Sequence, residues 1–186
     1  MALALLLVAG AGLFYVLTMP KAAVTGTLPP RTADPANGET MFNAGGCASC
    51  HATPKQEDTR RLGGGLALNT AFGRFYAPNL SSDAAHGIGA WPEEAFVNAM
   101  LRGIGRNGEH LYPAFPYTSY QRMTLDDVRD LFAFLRTLSP DATPSRPHEL
   151  SFPFNVRRGL GLWKLLYLDG KMFVPDPSRS AALNRG

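Results

Sequence analysis

Residues 2–19, ALALLLVAGAGLFYVLTM, form an uncharged apolar run of 18 positions, and the pattern changes character directly after it. At about 1.5 Å per residue the run is just long enough to cross a hydrocarbon core of roughly 30 Å, which predicts a transmembrane anchor over residues 1–20. A cleaved signal segment is the rival reading, although its apolar stretch usually covers about 7–15 residues behind a basic start. Residues 20–33, PKAAVTGTLPPRTA, are rich in Pro, Thr and small side chains and show no hydrophobic period, so residues 21–33 read as a flexible linker.

Helical periodicity begins at residue 34. Asp34 is an N-cap with Pro35 in the first helical position, opening a helix that runs toward Cys47. Residues 52–90 hold many glycines and no helical stripe, and read as mostly loop. In WPEEAFVNAMLRGI, Pro92, Glu93 and Glu94 mark a helix start and Ala95, Phe96, Ala99 and Met100 its apolar side. TLDDVRDLFAFLRTL gives the clearest helix: Val128, Leu131, Phe132 and Leu135 fall at i, i+3, i+4 and i+7, Thr124 caps them, and Ser139-Pro140 closes the segment. In NVRRGLGLWKLLYL, residues 155–168, one helical face carries Val156, Leu160, Trp163 and Tyr167, with Arg157, Lys164 and Lys171 opposite. Such a helix rests on a membrane surface, on a partner, or on its own domain. No repeat and no β-rich pattern is present, so the expected class is mainly α. The expected division is 1–20, 21–33, a domain over 34–140, and a C-terminal extension over 141–186.

With 186 residues and 45% apolar content the chain has room for one medium domain and appendages. The net charge of +3 comes from scattered Lys and Arg without interleaved aromatics, which gives nucleic-acid binding no support.

Both cysteines of the chain, Cys47 and Cys50, lie in CASCH, followed at once by His51. A redox dithiol would follow a strand in a βαβ unit, and no such pattern is visible. Structural zinc needs four ligands, while His86, His110 and His148 stand isolated. Covalent haem attachment needs only what is here: two thiols two residues apart reach two vinyl groups on one porphyrin edge, and the adjacent imidazole rises to the iron. One haem c is therefore expected on Cys47 and Cys50, with His51 as proximal ligand. Haem c is attached outside the bacterial cytoplasmic membrane, which orients the anchor with its N-terminus inside and the domain in the periplasm. For the sixth position Met100 falls on a helix stripe and Met172 lies beyond the compact region. Met123, at the end of a loop stiffened by Pro113 and Pro116, is the favoured distal ligand, with His110 as the alternative.

The segments NGETMFNAGGCASCHA, LGGGLALNTAFGRFYAPNLSSD, GEHLYPAFPYTSYQRMTLDDVRDLFAFLRTL and FPFNVRRGLGLWKLLYL together resemble the cytochrome c subunits of membrane-bound bacterial dehydrogenases acting on alcohols, gluconate, fructose, aldehydes or N-heterocycles, and related two-haem cytochromes. The resemblance implies a class I cytochrome c fold around one haem c, its first and last helices crossing. Many relatives have methionine where this chain has Phe115, and commonly a later one matching Met123. In relatives PDPSRSAALNRG leads into another haem domain; the chain is either a single-haem relative or the N-terminal part of a longer protein. The implied role is single-electron transfer, without catalysis of its own, from a dehydrogenase or quinol-oxidising complex to an oxidase, quinone or soluble cytochrome. The competing reading is a haem enzyme of thiosulfate dehydrogenase or peroxidase type, which needs an open sixth position and would use Arg102, Arg106 and Arg122 to gather substrate.

Overall fold

The computed structural model describes residues 1–185, with the side chain of Arg185 left aside. The described elements in chain order are α1 (Ala2–Leu17), α2 (Pro35–Ala44), α3 (Cys47–His51), β1 (Ala67–Thr70), β2 (Gly73–Tyr76), α4 (Glu93–Arg102), α5 (Tyr117–Tyr120), α6 (Leu125–Leu135), β3 (Glu149–Leu150), α7 (Leu160–Tyr167) and α8 (Ala181–Arg185).

The centre is the crossing of α2 and α6. Asp34 caps α2 by accepting from the backbone N–H of Ala36 and Asn37 at 3.0 and 3.1 Å, with Pro35 at the first position. Thr124 caps α6 by accepting from Asp127 N at 3.1 Å. The two helices touch backbone to backbone: a Cβ on Gly38 would run into the carbonyl oxygen of Asp130, so only glycine permits this approach. Phe42 and Phe134 pack beside it with ring centroids 5.4 Å apart. Val128, Leu131, Phe132 and Leu135 of α6 are all buried, as their spacing requires, and join Phe96, Val97, Met100 and Leu101 of α4 in one core. Buried Asp130 ties the crossing to the chain before it, accepting from Arg31 Nη1 at 2.5 Å, Asp34 N at 2.8 Å and Asn37 Nδ2 at 3.0 Å.

Four features depart from the sequence reading. The N-terminal apolar run forms a helix of 16 residues, about 24 Å long at about 1.5 Å per residue, and among the described residues no helix is long and apolar enough to cross a membrane. It stops where the Thr18 hydroxyl turns back onto Phe14 O at 2.7 Å, ahead of Pro20. Residues 21–33 are extended but held: Asn98 accepts from Ala23 N and Val24 N and donates to Val24 O, and Arg129 Nη2 donates to Pro29 O. The helix begun at Pro35 does not continue into the cysteine motif; it ends at Gly45, and Gly46 at φ +64° starts α3. Finally, residues 52–90 are mostly loop, as their glycines imply, but they include the antiparallel hairpin β1–β2, extended by β3 pairing Arg74 with Glu149.

The C-terminal helix is present as α7, and its seat draws on both expected faces: from the apolar face Trp163 meets Tyr117 edge-on with ring centroids 6.2 Å apart and Leu160 is half-buried, whereas Tyr167 is exposed. Lys164 is buried, donating to Arg102 O at 2.7 Å and Gly103 O at 2.6 Å at the C-terminal end of α4, with Nζ 4.8 Å from the Tyr117 ring centroid. Gly161 lies on Thr18 so closely that a Cβ would stand 2.5 Å from Thr18 Cα. Leu162, Leu165, Leu166 and Tyr167 face outward.

Candidate functional site: the cysteine motif and its histidine

The Gly45-Gly46 break turns the chain so that α3 presents Cys47, Cys50 and His51 beside the α2–α6 core. Cys47 and Ala48 pack against that core together with Met41, Leu80, Trp91, Phe115, Tyr120 and Met123. Both cysteines are free and half-buried. Burial pushes the Cys47 thiol up to about 11, so it is protonated at neutral pH, the opposite of an activated redox thiol. Among the described residues no group of three His, Cys, Asp or Glu is placed to hold a metal ion, which leaves a zinc site short of ligands.

His51 Nδ1 lies 2.8 Å from Pro78 O. A carbonyl only accepts, so Nδ1 carries the proton and the lone pair sits on Nε2, the tautomer required for binding a metal through Nε2. Burial lowers the His51 pKa and the Pro78 carbonyl opposes that shift in part, which keeps the ring neutral. The acceptor is fixed from behind by Gly64, at φ +71°, where a Cβ would stand 2.5 Å from Pro78 O, and Gly64 N donates to His51 O at 2.9 Å. Neither Pro78 nor Gly64 stands out from residue type; the only signal is the triple glycine at 63–65.

The loop before α6 closes over the motif. Tyr120 Oη donates to Gly45 O at 2.8 Å, and burial first, with Cys47 and Cys50 nearby, raises its pKa to about 12. Three residues on, Met123 packs into the cluster containing Cys47, its N–H bonded to Tyr120 O at 2.9 Å. Phe115 packs into the same cluster, 5.5 Å from the Tyr120 ring. Met100 is a buried core residue of α4. His110 is engaged elsewhere: Nε2 donates to Thr18 O at 2.8 Å at the end of α1, and its pKa is lowered by burial and then by Lys164 and Arg158. Met172, like Met123, is no part of that contact; it is half exposed behind α7.

Two unpaired thiols and an imidazole whose Nδ1 is committed to a carbonyl, all on α3, with a thioether packed in the same cluster as Cys47, match the donor chemistry of a covalently held haem. The sequence profile of the cytochrome c family matches residues 35–139, and the chain belongs to the cytochrome c family. Such a domain implies haem c. The chain is 46% identical over 166 residues to a diheme cytochrome c-type protein of Cereibacter sphaeroides, covering 88% of this chain and 56% of that protein. It is 38% identical to the fructose dehydrogenase cytochrome subunit of Gluconobacter japonicus, over 80% of this chain and 31% of that subunit. With the gluconate 2-dehydrogenase cytochrome c subunit of Pantoea cypripedii it shares 32% identity over 80% of this chain and 34% of that subunit. The chain thus spans about half of the first relative and about a third of the other two.

Proposed function

We propose that this chain is an electron carrier holding one haem c, passing single electrons from a membrane-bound dehydrogenase or a quinol-oxidising complex to an oxidase, a quinone or a soluble cytochrome. In this reading Cys47 and Cys50 hold the haem through thioethers, His51 Nε2 is the proximal ligand and Met123 the distal one. The bound haem supplies a one-electron iron couple; the chain's own part is to keep the imidazole neutral and oriented and to close the site with apolar side chains. The observation that carries the reading is the commitment of His51 Nδ1 to Pro78 O beside two unpaired cysteines. The dehydrogenase partner is supported by the subunit names of the relatives from Gluconobacter and Pantoea.

Helix α1 is uncharged and exposed along its whole length, which supports a seat in the bacterial cytoplasmic membrane with the haem domain on the periplasmic side. Mixing the ferrous holoprotein with CO tests the carrier role against a haem enzyme. A site closed by methionine gives an unchanged spectrum, whereas rapid CO or peroxide binding by the native protein identifies an open site and a catalytic haem.

A further inference from the structure

The family match ends at residue 139, yet the residues directly beyond it are built into the proximal side of the site. Asn79 follows Pro78 and is 3% exposed. Its Nδ2 donates to Asp141 O at 2.7 Å and Thr143 O at 2.8 Å, its backbone N–H donates to Ser145 Oγ at 3.0 Å, and its Oδ1 accepts from Ser81 N at 2.8 Å. Fully buried Ser81 completes the seam, its Oγ accepting from Asp141 N at 2.9 Å. The Asp141 carboxylate in turn accepts from Arg61 Nε at 2.7 Å and from Thr53 Oγ1 at 3.3 Å, and Thr53 is two residues past His51. Thr53 Oγ1 accepts from Gly63 N at 3.0 Å, next to the glycine that backs the Pro78 carbonyl. Every polar group of Asn79 named here is satisfied, and each bond joins the Pro78 turn to the strap at 141–145 or to itself.

We propose that residues 141–145, acting through Asn79, form a positioning clamp that holds the Pro78 carbonyl on His51 Nδ1 and thereby sets the reduction potential of the iron. The inference rests on the haem reading above. Donation from Nδ1–H to a fixed carbonyl makes the imidazole a stronger electron donor and favours the ferric state. A turn freed to drift weakens that bond and raises the potential. Asn79 is a positioning residue: it touches neither the imidazole nor the iron.

The test compares two asparagines that each tether an extended segment. Asn79→Ala removes the clamp; Asn98→Ala removes three hydrogen bonds of similar geometry to Ala23 and Val24, on the linker side of the core. Holoprotein of the wild type, both variants and Ser145→Ala is measured by spectroelectrochemical titration and by exchange of the His51 ring N–H in the ferrous state. The expected result is a positive potential shift with faster ring N–H exchange in Asn79→Ala, a smaller shift of the same sign in Ser145→Ala, and wild-type values in Asn98→Ala. If Asn79→Ala does not load haem, Ser145→Ala decides. Wild-type potential and exchange in the proximal variants, or an equal shift in Asn98→Ala, overturns the clamp. A wild-type protein that carries no His51-ligated haem overturns the haem reading itself, and the clamp with it.

Discussion

Helices α6 and α7 have much the same sequence character, an apolar stripe opposed by charge, yet they are seated differently. In α6 the stripe Val128, Leu131, Phe132 and Leu135 is buried against α2 and α4. In α7 the apolar residues Leu162, Leu165, Leu166 and Tyr167 are exposed, while the contacts to the rest of the chain include Gly161 on Thr18, Trp163 edge-on to Tyr117 and Lys164 on the carbonyls of Arg102 and Gly103. Periodicity reports that a helix has two faces; which face is covered depends on what the neighbouring element offers. α2 offers the Phe42 ring and the Gly38 notch. The end of α4 offers the carbonyl oxygens of Arg102 and Gly103, and a lysine donates to those where a leucine cannot.

The strongest way to break this comparison is Leu131→Ala in α6. Leu131 is 1% exposed, so the truncation should cost about 2–5 kcal/mol in chemical denaturation of the holoprotein. A loss as small as that of a surface change would mean that the α2–α6 seat does not carry the core.

The connection between the two helices provides the next test. Hydrogen bonds from Thr143 and Arg61 hold the Asp141 carboxylate down to about 2 from its ordinary 3.8, against the opposing effect of burial. A carboxylate with a depressed folded pKa stabilises the fold above its unfolded value, and that contribution is lost as pH falls through the folded one. The window is therefore between about pH 4 and pH 2, and the contribution is about 2 kcal/mol. Acid titration of stability should show a loss in that window that Asp141→Asn lacks; parallel curves for the two proteins would contradict it.

Smallest of all should be Leu166→Ala in α7. This side chain is 78% exposed, and its removal should stay within about 0.5 kcal/mol in detergent-free buffer. A cost comparable to that of Leu131→Ala would mean that the outer face of α7 is covered within the folded chain.

The same contrast explains how much was legible beforehand. The caps Asp34 and Thr124, the stripe of α6 and the Cys47, Cys50, His51 motif are written in side chains at fixed spacing, and they emerge in the structure at those positions. The α2–α3 break has a sequence signal in Gly45-Gly46, which the capped start at Asp34 and Pro35 outweighs in favour of a continuous helix. The hairpin over residues 67–76 leaves no periodic signal, because its strands are four residues each, half polar, and completed by a two-residue strand from far along the chain. The acceptor for His51, the Asn79 seam and the seat of Lys164 all depend on backbone carbonyls, which every residue possesses and no residue type announces. The extent of α1 turned on two residues: the apolar run continues through Thr18 and Met19, but the helix stops at Leu17.

The central claim is that the Met123 loop closes a haem held by Cys47, Cys50 and His51. The most direct measurement is the ferric optical spectrum of the holoprotein in the far red, where a methionine-ligated ferric haem shows its weak sulfur-to-iron charge-transfer band, compared across wild type, Met123→Ala and His110→Ala. With Met123 as distal ligand the band is present in the wild type and in His110→Ala and lost in Met123→Ala, with CO binding gained in that variant alone. A band that survives Met123→Ala, or a wild type that lacks it, would contradict the account.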